Sequence, residues 1–415
     1  MEIRAGRIEA VGGPGGDLPV FAIPGLRNAH CHLDLSEVGR PPGSGEGFAR
    51  WVLGLVERRR GLDRRALAGA ARVGASEALS TGTTAIADID STGASFQAVA
   101  ESGLKGIGFF ECLSSGGADA QVRSAEAWLA AVQAGPRQAA FRPGLSPHSP
   151  YSCSAELYQR LARLAKKEGL LLTTHIAETR EELDFLLAGG GDLRTLLKRL
   201  GAVPPFDSPP GVPPIQYLDR LGCLGPGTLL AHANYPAEGD MDLLARSGAT
   251  VVYCPRSHAF FCHEEHPVAR YLEAGVNVAL GTDSLASNTT LSMFDEMAFL
   301  RRARPDLSSA GVFDLATRSG APLLDGGSGL LEPGQPADMV LVRSDSGLPA
   351  SLAEALDQLT SGLVKVLATL VSGRICHVSN ELEDGLLPLT WPRWELFSTS
   401  SDSCSGEAPG RLAGD

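Results

Sequence analysis

The feature that most constrains the fold is an alternation, between residues 25 and 325, of short apolar runs with longer amphipathic segments. Short apolar runs bounded by glycine or proline are typical of buried strands, and the segments between them have the period of helices. Eight strands alternating with helices predict an α/β fold, a closed parallel (β/α)8 TIM barrel over residues 25–325. The predicted strands are 26–30, 83–88, 106–111, 139–145, 170–175, 228–232, 250–254 and 276–283.

The two ends of the chain have a different pattern. Residues 1–24 and 326–397 contain short alternating runs separated by turn residues such as Gly334, Pro336 and Gly373, which is typical of antiparallel strands. We therefore expect both ends to build one small composite β-sandwich domain beside the barrel. Residues 398–415 are rich in serine and glycine without an apolar period, and we predict a disordered tail there.

Composition and charge exclude several classes of partner. The formal net charge of −12 argues against nucleic acid. No run approaches the roughly 20 apolar residues of a membrane helix, and the N-terminus lacks the apolar core of a signal peptide. The eight cysteines contain no Cys-X-X-Cys pair, which favours reduced thiols. We therefore expect a cytoplasmic protein with neither nucleic acid nor membrane as a partner.

Histidines concentrate at the predicted carboxyl ends of the strands, where β/α barrels carry their active sites. His30 and His32 close the first strand, and residues i and i+2 of a strand point to the same face. His175 ends the fifth strand and Asp283 the eighth. Three imidazole nitrogens and one carboxylate oxygen suit a catalytic divalent ion with an open position for water. We expect one ion, Zn²⁺ in the first place, although the same set also suits Fe²⁺ or Mn²⁺.

Three residues at the same ends are candidates for catalysis. Glu178 follows His175 by three residues and can protonate a substrate ring nitrogen. His232, at the end of the sixth strand, can hydrogen-bond a metal-bound water, which loses its proton near neutral pH, with Asp283 as proton acceptor. Taken singly, these residues also fit a buried histidine, a helix N-terminal acid or an N-cap. The agreement among strand ends favours the catalytic interpretation.

Four segments of the chain resemble the amidohydrolase superfamily: PGLRNAHCHLDLS (24–36), HIAE (175–178), LLAHANY (229–235) and GTDSLASN (281–288). A fifth, LEPGQPADMVLV (331–342), resembles that superfamily's return into its small β domain. The resemblance spans nearly the whole chain. It implies a metal-dependent (β/α)8 barrel with a composite β-sandwich, in agreement with the strand count.

Within the superfamily, the sequence resembles one subgroup more than the others. Its binuclear members bridge two metals with a carboxylated lysine, and none of the five lysines stands at the end of the fourth strand, so a mononuclear site is implied. The HxxE motif and the residues after Asp283 resemble the adenine-nucleoside deaminases and related chlorohydrolases. Residues 30–36, 47–52 and 254–258 resemble the aminofutalosine deaminases in particular.

This resemblance implies removal of the 6-amino group of an adenine-containing nucleoside: 6-amino-6-deoxyfutalosine would give futalosine and ammonia, on a menaquinone route. His148 resembles a position that touches ribose in S-adenosylhomocysteine deaminases, and Trp51 lies in a matching segment. Arg256 or Arg142 could pair with the benzoate group of that substrate, because arginine suits a carboxylate. The alternative for each arginine is an ion pair at the rim.

Other functions remain open on the sequence. A 5′-methylthioadenosine or S-adenosylhomocysteine deaminase, a guanine deaminase and a chlorohydrolase would share the metal site. A catalytically silent barrel serving as a scaffold is a more distant alternative, because such a protein would be expected to lack the ligands. His258, His263 and His266 could suggest a second metal, but their position in one loop favours rim residues. A small nucleoside is the expected partner, and a homodimer is the default expectation.

Overall fold

The computed structural model describes residues 1–10, 20–40, 47–135 and 140–383. Its largest element is an eight-stranded parallel sheet whose strands follow one another in chain order. The strands are β1 Glu2–Arg4, β2 Arg7–Ala10, β3 Val20–Pro24, β4 Leu26–Cys31, β5 Thr83–Asp90, β6 Lys105–Cys112, β7 Phe141–Pro147, β8 Leu172–Ile176, β9 Thr228–His232, β10 Thr250–Tyr253, β11 Asn277–Leu280, β12 Met339–Ser344, β13 Val364–Val371 and β14 Arg374–Val378.

The helices lie mostly between consecutive strands of that sheet. They are α1 Phe48–Arg59, α2 Arg64–Ser80, α3 Ser95–Glu101, α4 Ala118–Ala134, α5 Ala155–Glu168, α6 Arg180–Ala188, α7 Gly191–Leu200, α8 Pro214–Arg220, α9 Asp240–Ser247, α10 Pro255–Phe260, α11 Val268–Glu273, α12 Met293–Ala303, α13 Ser309–Ala316, α14 Ala321–Leu324, α15 Leu352–Thr360 and α16 Asn380–Glu383. A short 3₁₀ helix, Leu33–Leu35, follows β4.

Strands β4 to β11 form the barrel, each parallel to its neighbours. The first and last strands meet where the backbone N–H groups of Thr282 and Asp283 donate to the carbonyl of His30, at 3.1 and 3.0 Å. Gly281 permits this approach, because a Cβ atom there would lie 2.9 Å from the Cβ of His30. All eight predicted strands, and the TIM barrel that they imply, are confirmed.

The ends of the chain form two further antiparallel sheets. β3 pairs with β12 in a four-stranded sheet of order β14-β13-β12-β3, and β1 pairs with β2 in a hairpin. Ile8 of the hairpin packs with Met339 and Leu370 in a core that the two sheets share. Additional sheets from both chain ends are therefore confirmed. The domain limits 1–24 and 326–397 remain predictions, and the expected tail at 398–415 lies outside the described residues.

Helix α5 illustrates how the helices are held on the barrel. It begins at Ser154, whose hydroxyl accepts a hydrogen bond from the N–H of Leu157, and it ends at the left-handed Gly169. Leu157, Leu161 and Leu164 form one buried stripe, and burial of each leucine contributes about 1.5–3 kcal/mol. Across the described ranges, no helix combines the length and the apolar character needed to cross a membrane.

Candidate metal centre and substrate cavity

A cavity of about 250 Å³ opens at the carboxyl ends of the barrel strands. Side chains from β4, β8, β9 and the turn after β11 form its floor, and helices α1 and α7 form one wall. The predicted metal ligands His32, His175 and Asp283 line it, together with Glu178 and His232. The structure therefore brings the residues predicted from different strand ends into one place.

Four imidazole rings form a compact cluster on this floor. The ring centroid of His30 lies 5.1, 5.0 and 5.2 Å from those of His32, His175 and His232. The Nε2 atoms of His32 and His175 lie 3.2 Å apart. Burial is the main reason why the pKa values of these four histidines are lowered, with mutual repulsion adding to it. The rings are therefore neutral at pH 7 and carry the free lone pairs that metal binding requires.

Asp283 supplies an oxygen to the same point. Its Oδ1 lies 3.8 Å from Nε2 of His30 and 4.0 Å from Nε2 of His32. Its Oδ2 accepts hydrogen bonds from the hydroxyls of Ser257 and Ser287, at 2.7 and 2.9 Å. Burial alone would raise the pKa of Asp283, but the neighbouring histidines and these hydroxyls hold it below its ordinary value. Asp283 is thus ionised, and Oδ1 faces the histidines.

The orientation of His175 is fixed by the backbone. Its Nδ1–H donates to the carbonyl of His148 at 3.0 Å, which leaves the Nε2 lone pair directed at the cluster. His30 has no hydrogen-bond partner at either ring nitrogen among the described residues, although both nitrogens are fully buried. A buried polar nitrogen without a hydrogen bond raises the free energy of the folded state, and coordination to a metal ion would remove that penalty.

This donor set fits a divalent ion. Ligand atoms of His30, His32 and Asp283 all lie within 4.8 Å of one another. The ligand atoms of His30, His175 and His232 satisfy the same limit. Nitrogen and carboxylate ligands at these separations can contract onto one ion with bonds of about 2.0–2.2 Å. His232 is therefore close enough to be a ligand as well as a catalytic group.

Glu178 faces His232 across the floor, with Oε1 3.7 Å from Nε2 of the histidine. Burial raises the pKa of Glu178 well above its usual value, and the nearby charge of Asp283 raises it further. The raised pKa favours the protonated carboxyl group, which can donate its proton. Such a raised pKa is typical of a general acid.

The strand ends that carry these residues are strained. Ala177, His232, Ala233 and Asp283 all have positive φ angles, between 46° and 74°. Such angles cost energy in residues other than glycine and are found where function requires a particular side-chain direction. Two side chains hold the strained turn after β9: Nε2 of His266 donates to the His232 carbonyl at 3.0 Å, and the Tyr271 hydroxyl donates to the Ala233 carbonyl at 2.8 Å. No sequence motif indicated these supporting roles.

His148 and Trp51 both line the cavity, as expected of substrate contacts. Nδ1 of His148 lies 2.6 Å from the hydroxyl of Ser152. Trp51 is buried on α1, and its indole N–H donates to the carbonyl of Ala286 at 3.2 Å. The positions suit contact with a bound molecule, and the contacts themselves remain predictions.

The structure brings neither predicted arginine to the cavity. Arg142 stands at the amino end of β7, at the opposite face of the barrel, and its guanidinium donates to the carbonyl of Leu323 at 2.7 Å. The guanidinium of Arg256 turns away, toward the hydroxyls of Thr289 and Thr290 and the carboxylate of Asp295. The expectation that one of them pairs with a substrate carboxylate is therefore corrected. Position along the strand decides the case of Arg142, and side-chain direction decides that of Arg256.

The loop histidines form a second cluster, close to the strand ends but separate from the metal ligands. The ring centroids of His258 and His263 lie 5.3 Å apart, and those of His258 and His266 lie 5.7 Å apart. None of the three belongs to a group of converging ligand atoms in the described ranges. His266 instead stacks on Tyr253 with centroids 3.7 Å apart. Their assignment as rim residues of the cavity stays a prediction.

Two further groups of residues line the cavity, and of their members only Trp51 was predicted. We call the first the polar flank; its members are Asp34, Arg59, Ser91, Glu111 and Ser115. We call the second the apolar flank; its members are Trp51, Val52, Leu55, Leu196, Leu197, Leu200 and Val203. Glu111 lies at the end of the third predicted strand, so the strand-end rule that found the histidines could have found it too. All members of the apolar flank except Val203 come from helices α1 and α7, for which the sequence shows no such rule.

Comparisons with known proteins place the site in context. A sequence profile described as the amidohydrolase family matches residues 21–376. The 5′-deoxyadenosine deaminase of Methanothermobacter thermautotrophicus is 32% identical over 339 residues, which cover 78% of this chain and 73% of that protein. The aminodeoxyfutalosine deaminase of Deinococcus radiodurans is 33% identical over 327 residues, 74% of each chain. A 5-methylthioadenosine/S-adenosylhomocysteine deaminase of Nitratidesulfovibrio vulgaris is 32% identical over 334 residues, 77% of this chain and 70% of that protein.

Solved structures show the same fold. An adenosine deaminase from Xanthomonas campestris with bound zinc has a TM-score of 0.72 at 22% identity, covering 86% of this chain and 80% of that chain. The aminofutalosine deaminase of Helicobacter pylori, in complex with methylthio-coformycin, also has a TM-score of 0.72 at 22% identity, covering 86% and 87%.

Proposed function

Because the chain belongs to the amidohydrolase family, we propose that it is a metal-dependent deaminase acting on the 6-amino group of an adenine-containing nucleoside. It is a hydrolase of carbon–nitrogen bonds, as are the named deaminases that match it over most of its length. The single observation that carries the proposal is the meeting of Glu178, His232 and Asp283 around the histidine cluster.

The proposed ligands of the metal are His30, His32, His175 and Asp283. A divalent ion held there would supply a coordinated water of lowered pKa, and hence a nucleophile at neutral pH. We propose zinc as the ion, supported by the nitrogen-rich donor set and by the bound zinc of the structurally similar adenosine deaminase.

Side chains of the protein carry out the proton transfers. Glu178 donates its proton to N1 of the purine as oxygen bonds to C6, so that the ring can accept electron density. Asp283, beside His232, takes the proton that the water loses and passes it to the departing amino group. The bond between C6 and nitrogen then breaks, and ammonia leaves. The remaining hydroxyl proton returns to Glu178, which restores the starting state and leaves an oxo group at C6.

The proposed substrate is 6-amino-6-deoxyfutalosine, whose product futalosine lies on a menaquinone route. The apolar flank supports this choice, because leucines 55, 196, 197 and 200 offer an apolar surface suited to an aromatic substituent beyond the sugar. The match to the Deinococcus enzyme also supports it. Deamination of 5′-deoxyadenosine, 5′-methylthioadenosine or S-adenosylhomocysteine is the second candidate, favoured by the matches to enzymes of those names.

Ammonia release from a panel of substrates tests the proposal. Zinc-loaded protein would be given 6-amino-6-deoxyfutalosine, adenosine, 5′-deoxyadenosine, 5′-methylthioadenosine and S-adenosylhomocysteine, with guanine and a chlorotriazine as controls for related hydrolases. We expect the highest kcat/KM for 6-amino-6-deoxyfutalosine. A preference for another adenine nucleoside would retain the deaminase and reject this substrate. Turnover of guanine or the chlorotriazine alone would reject the adenine nucleoside assignment.

A further inference from the structure

The polar flank of the cavity contains a buried donor and a buried acceptor that do not satisfy each other. Arg59 lies at the end of α1, and Glu111 lies near the end of β6. Both side chains line the cavity that contains the histidine cluster. Neither has a part in the proton transfers described above.

The guanidinium of Arg59 is held from two sides. One terminal nitrogen donates to the hydroxyl of Ser91 at 2.7 Å, and the other donates to Oδ2 of Asp34, also at 2.7 Å. Among the three N–H groups that remain, Nε–H is buried and has no hydrogen-bond partner within the described ranges. Arg59 is thus a fixed group whose Nε–H is still available as a donor.

Among the described residues, Glu111 carries a hydrogen-bond acceptor that has no partner, whereas Arg59 carries a donor that has none. Its Oε1 is buried and accepts no hydrogen bond from the part of the chain that the structure describes. A carboxylate oxygen of Glu111 lies within 4.8 Å of a ring nitrogen of His148 and one of His175. The unused acceptor therefore stands beside the proposed metal site, on the side of His148.

A second metal ion does not explain these groups. Glu111, His148 and His175 are close enough to share an ion, but both nitrogens of His175 are already committed. Its Nδ1 donates to the His148 carbonyl, and its Nε2 faces His32 in the histidine cluster. Only Glu111 and His148 would remain, which is too few ligands for a stable site.

A substrate carboxylate does not explain them either. A carboxylate could accept from Arg59, but it has no proton to donate to the unpartnered Oε1 of Glu111. A hydroxyl group, in contrast, both donates and accepts, so it can satisfy Glu111 and Arg59 together.

We infer that the polar flank binds the vicinal hydroxyl groups of the substrate's sugar, with Glu111 accepting from a hydroxyl and Arg59 Nε–H donating to one. This inference rests on the proposed function, because it requires a nucleoside whose base is bound at the metal. Under this inference, Glu111 and Arg59 determine whether the enzyme prefers a ribose or a deoxyribose nucleoside. An acidic group elsewhere in the substrate would have to lie outside the polar flank.

The test compares adenosine with 2′,3′-dideoxyadenosine on the zinc-loaded enzyme. Sites built to hydrogen-bond a hydroxyl reject analogues that lack it strongly, so we expect kcat/KM to favour adenosine by about 10²-fold or more. In Glu111→Gln that ratio falls by roughly tenfold, because a hydrogen bond to a charged acceptor is stronger than one to an amide. The kcat/KM for the dideoxy substrate stays at the wild-type value. Arg59→Met, which keeps the apolar stem, also lowers the ratio.

Glu57→Gln is the matched control, because Glu57 is an exposed acid on the same helix. It should leave the ratio unchanged. The inference is overturned if Glu111→Gln keeps the wild-type ratio, or if it lowers kcat/KM equally for both substrates, as a structural role would. If the wild-type enzyme deaminates neither nucleoside nor any other in the panel above, the proposed function itself fails.

Discussion

At the scale of single residues, the site depends on carboxyl groups whose protonation is set by burial. Histidines and two serine hydroxyls lower the pKa of Asp283, whereas burial beside that charge raises the pKa of Glu178 and favours its protonated form. When the surroundings lower the pKa of one acid and raise that of its neighbour, the first acid is suited to accept a proton and the second to donate one.

Glu178→Gln tests this assignment. Glutamine has the same shape but no acidic proton, so we expect kcat to fall by about 10²–10⁴-fold, the usual contribution of general acid catalysis. Metal content should stay at the wild-type level, because Glu178 is not among the proposed ligands. Asp184→Asn, an exposed acid on α6, is the control. Unchanged turnover in Glu178→Gln would reject the proposed role.

Glu182 gives a prediction about pH and stability. It is fully buried on α6, its Oε2 accepts from the backbone N–H of Glu178 at 3.0 Å, and burial raises its pKa to about 8. The folded protein therefore holds this proton up to about pH 8, whereas the unfolded chain releases it near 4.5. The contribution of Glu182 to stability is thus lost as the pH rises from 4.5 through 8.

Glu182→Gln removes that titration and keeps an acceptor for the N–H of Glu178. We expect the melting temperatures of variant and wild type to be similar at pH 5, and the variant to melt higher at pH 9. Asp184→Asn should show no such difference between the two pH values. A variant that is less stable than the wild type at pH 9 would contradict the buried, protonated state of Glu182.

At the scale of elements, the ends of β8, β9 and β11 carry the site. Hydrogen bonds from neighbouring elements stabilise the strained backbone there. Asn234 donates to the Glu178 carbonyl at 2.8 Å, which ties the turn after β9 to the turn after β8. Tyr271 of α11 holds the next carbonyl of the β9 turn, that of Ala233. These contacts fix the direction of His232 without touching the substrate.

Tyr271→Phe removes one such contact. The Ala233 carbonyl would lose its partner, at a cost of about 1–3 kcal/mol for a buried polar group. We expect kcat to fall about tenfold with little change in KM, because a positioning group acts on chemistry more than on binding. Tyr217→Phe removes a hydroxyl on α8 and should leave kcat unchanged. A Tyr271→Phe variant with wild-type kcat and lowered stability would assign the contact to folding alone.

Sequence patterns predicted the elements well, for a physical reason. The barrel strands are buried on both faces, so they appear as continuous apolar runs, and their carboxyl ends converge by geometry. The same rule, that site residues lie at the carboxyl ends of strands, would also have predicted Glu111. Arg142 was misjudged because it stands at the amino end of β7, and Arg256 was misjudged because its long side chain turns away from the cavity. Arg59 and the leucines of α7 enter the cavity through helix packing, which no local pattern records.

At the scale of the whole molecule, a buried ion pair joins the barrel to the small sheets. Nζ of Lys105, at the start of β6, lies 2.7 Å from Oδ2 of Asp338, which precedes β12. The other oxygen of Asp338 accepts from the N–H of Ser372 at 2.7 Å. This pair lies at the face of the barrel opposite the cavity, so its role is structural.

Asp338→Asn would leave Lys105 as an uncompensated buried charge. We expect the free energy of unfolding to fall by about 3–5 kcal/mol in urea denaturation, with kcat at 25 °C unchanged. Asp314→Asn breaks an exposed pair with Arg318 and should cost at most about 1 kcal/mol. A similar small loss in both variants would show that the Lys105 pair contributes no more than a surface pair.

The central claim is that water replaces the 6-amino group of an adenine nucleoside at the histidine cluster. Mass spectrometry of the product formed in ¹⁸O-labelled water tests it most directly, with zinc-loaded and metal-free enzyme in parallel. The account predicts one ¹⁸O atom on the purine base, one equivalent of ammonia, and neither without metal. Recovery of intact nucleoside from the zinc-loaded enzyme, or cleavage of the bond between base and sugar, would contradict it.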